Sequence, residues 1–427
     1  MSQKAIRVVV TGHGAITPIG KDSRQTFENA SEGVSGIRFL SSFDTEGLPC
    51  RIGGQVDDTW ITGFSNGVQG LEKCSSRGLK LMLTAASEAA AAARLDTIAS
   101  RERIGVSLGY HGENPSVEDM LLFYRYGGNG NWDINGLSKT GIYSYFNFFR
   151  RKPDVATSIL SVLFNCRGSN FTIVSACAAG SQAIGEACRV IREGKADVML
   201  AGGCESNLNF AGFIGFVLIR ALSERYASPD KASRPFDRKR NGFVMSEGAG
   251  ALVLESLDHA LERNAPILAE VLGYGSSADA FRITDMHPKG EGATFAMQGA
   301  IRDAGLSTAD IQYINAHGTS TIQNDYIETL AIKKVFGDRA KQIPVSSNKS
   351  MTGHTIAAAG AIESVLTIMG MNNSLLLPTI NHESADPKCD LDYVPNQARR
   401  LEHSIALSNS FGFGGQNASL CLGKYRK

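Results

Sequence analysis

Long apolar runs are missing from this sequence. Its start, "MSQKAIRVVVTGHGAITPIG", has one short apolar run at Val8–Val10 before glycines interrupt it. That is too short for the core of a signal peptide or for a membrane span. A charge excess is missing too. Lys plus Arg number 43 and Asp plus Glu 42, a net of +1, so no global field draws the chain to nucleic acid or to a membrane. A local basic patch stays possible. The eight cysteines contain no C-x-x-C pair. In a chain of this size that argues against a disulfide framework and for reduced thiols in the cytoplasm. What is abundant is glycine, 46 residues, in a composition that is 43% hydrophobic: an ordinary globular chain with many tight turns.

At 427 residues the chain is too long for one small core. β-rich apolar runs ("IRVVVTG", "IGVSLG", "NFTIVSAC", "DVMLAGG") alternate with Ala-rich helical runs ("GLKLMLTAASEAAAAARL", "AIGEACRVIREGKA"). This alternation predicts the α/β class, with buried, largely parallel strands. After "GALVLESLDHALERNA" the pattern restarts. "ILAEVLGYGSSADA" reads as a strand and turn, "TFAMQGAIRDAGL" and "YIETLAIKKVFG" as helices, and "AIESVLTIMGM" follows "SMTGHTIAAAG" much as "AIGEACRVI" follows "SACAAGSQ". Two similar halves are expected, residues 1–259 and 260–427, in one continuous body. Residues 111–155 break the pattern. They are aromatic and rich in Gly and Asn, and read as an insertion that covers a site or meets a partner.

"TIVSACAAGSQAIGEA" puts Cys177 where a strand turns into a helix that Gly194 closes. A helix N-terminus favours thiolate over thiol, and the small neighbours let a substrate approach the backbone. Cysteine is also commonly buried as a small hydrophobe, so this stretch alone leaves nucleophile and spare core thiol both open. A nucleophile needs a base or a cation beside it. His317 in "YINAHGTSTIQND" follows a strand, and His354 in "SSNKSMTGHTIAAAG" precedes an Ala-rich helix. Neither lies on an apolar helix face, although each could cap a turn. Metal binding by the trio ranks below both readings because the spacings fit no short zinc signature; no metal is expected.

Six strings in order, among them "VVVTGHGAITPIG", "IVSACAAGSQAIGEA", "INAHGTSTIQND", "VSSNKSMTGHTIAAAGAIE" and "SNSFGFGGQNASL", resemble the condensing enzymes of the thiolase superfamily. The chain is most similar to elongating β-ketoacyl-acyl carrier protein synthases of the synthase II type. The resemblance implies a thiolase-like α/β fold of five layers, α-β-α-β-α, from two duplicated halves. It implies that Cys177 takes an acyl group as a thioester and that His317 and His354 drive decarboxylation of a malonyl extender. The N–H groups of Cys177 and Phe413 would form an oxyanion hole, with Phe413 as a gate and Phe411 as a supporting residue. Lys349 would pair with Glu363 and order the site. Initiating relatives place Asn where His354 stands, so His354 favours an elongating enzyme.

The same resemblance puts Thr319, Thr321 and Thr284 on the phosphopantetheine arm of an acyl carrier protein, with no cofactor besides that arm. It puts Arg220, Lys73 and Arg77 on the docking rim for this acidic partner. It also implies a dimer, either with itself or with a ketosynthase-like chain-length subunit, paired through the edge "NFTIV". The departures are Gly112 in "GYHGEN", read as removing a bulky gate from the acyl tunnel, Gln416 for the usual Thr, and Ser246 for the usual Gly. They suggest a specialised polyene, polyketide or lipid pathway. A non-catalytic chain-length partner and a malonyl-carrier decarboxylase are the alternatives.

Overall fold

In the computed structural model, which describes residues 6–62, 76–128, 130–141 and 145–426, ten strands join into one hydrogen-bonded sheet system. The first half contributes β1 (Val8–Ile16), β2 (Ile104–Gly109), β3 (Asn170–Ile173), β4 (Val198–Glu205) and β5 (Gly248–Ser256). The second contributes β6 (Ala269–Ala278), β7 (Tyr313–Asn315), β8 (Val345–Ser346), β9 (Ile405–Gly412) and β10 (Gln416–Gly423). The order across the first half is β3-β2-β4-β5-β1 and across the second β8-β7-β9-β10-β6. Adding five to each label converts one into the other, so the expected duplication is visible in the hydrogen bonding. The halves meet where Val9 and Val10 of β1 oppose Glu270 and Ala269 of β6.

Helices make the remaining layers. α1 (Arg77–Ala92) and α2 (Pro153–Phe164) cover the outer face of the first half. α3 (Ala179–Arg192) and α7 (Ala359–Asn373) lie between the two halves and touch strands of both. α5 (Glu291–Asp303) packs on the outer face of the second half with α6 (Ile322–Phe336) beside it, while α4 (Phe210–Leu218) lies in the crossover between β4 and β5. This is the five-layer α-β-α-β-α arrangement. Val8, Val9 and Val10 are wholly buried, as are Met199 and Leu200 of β4, because strands covered on both faces read as continuous apolar runs.

Strand direction is the main departure. Pairing is parallel only among the outer three strands of each half, β3-β2-β4 and β8-β7-β9. β5 and β10 run against their neighbours. For β9 and β10 the reason is local: a turn of three residues, Phe413–Gly415, joins them, and strands joined so tightly must be antiparallel.

The duplication extends to the turns that matter. Ala176, at φ 47°, opens a short 3-10 turn that runs into α3 at Ala179. Ile356, at φ 45°, opens the matching turn that runs into α7 at Ala359. A left-handed non-glycine residue is costly, and both elbows spend that cost at the same place in their half. The close approach of α3 and α7 needs Gly180, whose missing Cβ would sit 2.6 Å from the Ala357 carbonyl oxygen. Within 111–155 the chain forms short helices at Val117–Gly127, Ile134–Lys139 and Tyr145–Phe149. Leu121, Tyr124, Trp132 and Ile134 are each more than half exposed there. No helix among the described residues is long and apolar enough to cross a membrane.

Candidate functional site

Cys177 sits in the elbow between β3 and α3 and is 2% exposed. His354 enters from the second half. Its N–H donates to the Val244 carbonyl at 2.8 Å and its own carbonyl accepts from Ser246 N–H at 3.0 Å, which fixes the backbone. The Ser246 hydroxyl, one of the departures noted above, donates to the Gly54 carbonyl at 3.0 Å and ties this segment down further. His354 Nε2 then lies 2.9 Å from Cys177 Sγ. The His317 ring stands edge-on to His354 with centroids 5.3 Å apart, and Phe243 meets His354 from another side at 5.2 Å.

His317 follows β7. Its N–H and that of Gly318 donate to the two carboxylate oxygens of Glu328 on α6, each at 2.8 Å. Burial pushes the Glu328 carboxyl up to about 7 against those bonds. Lys349 and Glu363 are both about wholly buried and form an ion pair. Burial pushes Glu363 up to about 7 while Lys349 opposes it.

Burial pushes the Cys177 thiol up to about 12. Lys349 and the backbone N–H groups of Phe413 and Cys177 work against burial without overcoming it. The helix terminus therefore does not by itself make a thiolate, contrary to the expectation from sequence. The reason is depth: the elbow is roofed by Ile356, Phe213 and Phe243 from distant parts of the chain. Both histidines are held well below the usual imidazole range, first by burial and then by Lys349. The resting centre is a neutral thiol beside two neutral imidazoles.

A cavity of about 50 Å³ opens on this trio, with Thr319, Thr321 and Asn324 at its polar side and Met286, Phe411 and Phe413 at its apolar side. The Thr319 and Thr321 hydroxyls lie 3.1 Å apart. A neighbouring groove lined by Ile219, Arg220 and Ile322 shares Met286, Thr321 and Asn324 with it, so Arg220 stands at the mouth. Phe413 rests partly buried near Phe216 at 6.4 Å. Gly414 N–H donates to the Ile283 carbonyl at 2.7 Å, which ties the glycine-rich turn to the loop carrying exposed Thr284.

Two sequence readings fall elsewhere. Gly112 does not line the cavity. It has φ +84° and a Cβ would lie 2.1 Å from the Arg151 carbonyl oxygen, so a turn against neighbouring backbone demands glycine there. Arg77 is not a loose docking cation. Its guanidinium grips buried Glu247 through Nε and Nη2, each at 2.7 Å. Lys73 lies outside the described residues. Sequence reading also missed Phe243, Met286, Asn324 and Glu328. Glu328 had a signal: it shares the buried stripe of α6 with Ile327, Ala331 and Ile332, where a lone carboxylate calls for a partner.

Cys177, His317 and His354 offer donor atoms all within 4.8 Å, the composition of a zinc site. A ligating histidine normally donates its other ring N–H to a carboxylate or carbonyl. Neither Nδ1 meets a partner among the described residues, so the orienting shell of a metal site is lacking.

Comparison with known proteins places these features in a family. Residues 5–260 match the beta-ketoacyl synthase N-terminal domain, and residues 268–383 match the beta-ketoacyl synthase C-terminal domain. The 3-oxoacyl-[acyl-carrier-protein] synthase 2 of Staphylococcus aureus (strain MRSA252) is 41% identical over 430 residues, covering 100% of both chains. A type II polyketide ketosynthase solved with its acyl-carrier protein superposes with a TM-score of 0.86 at 33% identity, covering 99% of this chain and 100% of that one. The ishigamide ketosynthase/chain length factor gives a TM-score of 0.86 at 32% identity, with the same coverage.

Proposed function

The chain belongs to the beta-ketoacyl synthase family, and from that membership we propose that Cys177, His354 and His317 carry a decarboxylative Claisen condensation between an enzyme-bound acyl group and malonyl-acyl carrier protein. The observation that carries this reading is the 2.9 Å approach of His354 Nε2 to Cys177 Sγ with His317 facing both. His354 accepts the thiol proton as the sulfur attacks the incoming thioester, and the carrier arm leaves as a thiol. The N–H groups of Cys177 and Phe413 receive the developing oxyanion. Malonyl-carrier protein then enters, loses carbon dioxide, and its enolate oxygen is held by the Nε2–H groups of the two imidazoles. Each ring does so in the tautomer that carries its proton on Nε2; His354, whose Nε2 accepts the thiol proton in the first step, shifts its proton from Nδ1 to Nε2 before the second. The enolate carbon attacks the Cys177 thioester, the carbon–sulfur bond breaks, and Cys177 leaves as a thiolate that takes up a proton from water. Covalent catalysis splits one hard step into two.

Lys349, paired with Glu363, supplies the nearby positive charge that favours sulfur as an anion. Thr319 and Thr321 line the cavity and bind the phosphopantetheine arm, with Arg220 at the mouth for the acidic carrier. No cofactor enters these steps. Two copies, or this chain and a chain-length subunit, pair through the open edge of β3. The test is purified protein given acyl- and malonyl-carrier protein, with products read by mass spectrometry. A β-ketoacyl product two carbons longer is expected, and Cys177→Ala should lower its formation by at least about 1,000-fold. Acetyl-carrier protein as the sole product would instead make the chain a decarboxylase.

A further inference from the structure

The catalytic cavity, about 50 Å³, has room for part of a thioester arm and none for the protein that brings it. The carrier body must therefore rest on what surrounds the mouth. The neighbouring groove, about 270 Å³, shares Met286, Thr321 and Asn324 with the cavity, so the two meet there. Of the ten residues that line this groove only Arg220 is charged.

One flank is the end of α4. Arg220 N–H donates to the Val217 carbonyl at 3.0 Å and Ala221 N–H to that of Phe216 at 3.2 Å, with Arg220 left-handed at φ 55°. This closes the helix and leaves Ile219 50% exposed. The other flank is the first turn of α6. Arg240 donates to the Thr321 and Ile322 carbonyls at 3.1 and 3.2 Å, which holds Ile322 in place with its side chain outward, 66% exposed. Leu218 beside Ile219, and Ile283 three residues before Met286, are more exposed still. Aliphatic side chains left in water beside a substrate mouth mark a surface that something covers.

Charge around this groove is sparse and balanced. Arg77 is committed to Glu247 and Asp58. Arg282 pairs with Asp285 at 3.2 Å on the loop that carries Met286. Glu224 and Arg225 both donate backbone N–H groups to Asn241 Oδ1 on the groove wall and bring one charge of each sign. Lys388 lies over the Tyr326 ring at 5.4 Å, and its own N–H donates to Asp386 at 2.9 Å.

We propose that this groove is the docking face for the carrier protein and that it holds the carrier by apolar contact: an aliphatic face of the carrier seats between Ile219 and Ile322, with Arg220 supplying a single ion pair. The proposal rests on the reading above, in which a carrier arm reaches Cys177 through this mouth. Its consequence is a docking step nearly blind to salt, because an exposed ion pair is weak and screened whereas buried aliphatic surface is not.

The test titrates each holo-acyl carrier protein encoded by the source genome against the full-length protein, by fluorescence anisotropy, from about 0.01 M to about 1 M NaCl. The tightest binder should weaken less than about fivefold over that range, the effect of one exposed pair, where three pairs would lose about a hundredfold. Ile219→Ser and Ile322→Ser should each weaken it at least about tenfold, and Arg220→Gln less than about fivefold. Both isoleucines are surface residues, so the urea midpoint of each variant should match the wild type; should one fall, the other decides. A hundredfold loss in salt, or Arg220→Gln weakening binding more than either serine, overturns the proposal. So does failure of every carrier to bind. Self-association that the serine variants abolish overturns it too, since it would give the groove to a second copy. A carrier bound as described with no β-ketoacyl product would sink the ketosynthase chemistry and leave the docking face standing; product formed through binding that salt abolishes would do the reverse.

Discussion

Glu328 shows what one buried carboxyl does to the whole chain. It holds the backbone of His317 and Gly318 and also accepts from Asn409 at 3.3 Å. Burial raises it to about 7, above the ordinary glutamate value it regains on unfolding. Between those values the native chain keeps a proton that the unfolded chain has released, so stability falls as pH rises from about 4.5 to about 7, by about 3 kcal/mol for this group. Urea unfolding at a series of pH values should show that slope, and Glu328→Gln should flatten it. Cys177 carries a second lesson at this scale. Its place at a strand-to-helix junction is legible in "IVSACAAG", but its protonation is not, because the side chains that bury it come from residues far away in the chain. Gly112 shows a related limit: a glycine signals that something comes close, and the neighbour is the Arg151 carbonyl, which no local pattern reveals.

Strands and helices show which parts of the fold a sequence can carry. β1, β2, β3, β4 and β6, α1, α3, α5 and α6 all stand where apolar runs and Ala-rich periodic stretches put them, because burial on both faces and helical spacing are local properties. Strand direction is not local. It depends on connections such as Phe413–Gly415, so five of the nine strand pairings across the ten-stranded order are antiparallel. Helix-to-strand distance is legible only as small residues. Gly14 in β1 and Gly275 in β6 occupy equivalent places, and a Cβ on either would lie 2.1 Å from a helix carbonyl oxygen, Ala85 in α1 or Ala296 in α5. Backbone cannot yield as a side-chain tip can. Gly14→Ala and Gly275→Ala should each cost about 3 kcal/mol, read as a lower urea midpoint, while an exposed alanine substitution should leave it unchanged.

At the scale of the molecule, β3 is an open edge of the sheet system, and Val174 just beyond it is 56% exposed. An apolar residue beside unpaired strand edge invites a second chain. On the proposed pairing through β3, Val174→Asp should weaken self-association at least about tenfold, seen as a concentration-dependent shift in sedimentation, and should lower the proposed condensation with it because Cys177 lies three residues on.

The first half supplies the sulfur, and the second supplies both imidazoles and the lysine. The segment 263–268, between the helix Leu257–Glu262 and β6, lies outside every strand and joins the two halves. A nick there would yield two inert fragments, each with its own complete strand pattern, and turnover would return only on reassembly. The duplicated architecture is therefore a ready-made complementation pair, in which chemistry itself reports that two pieces have met.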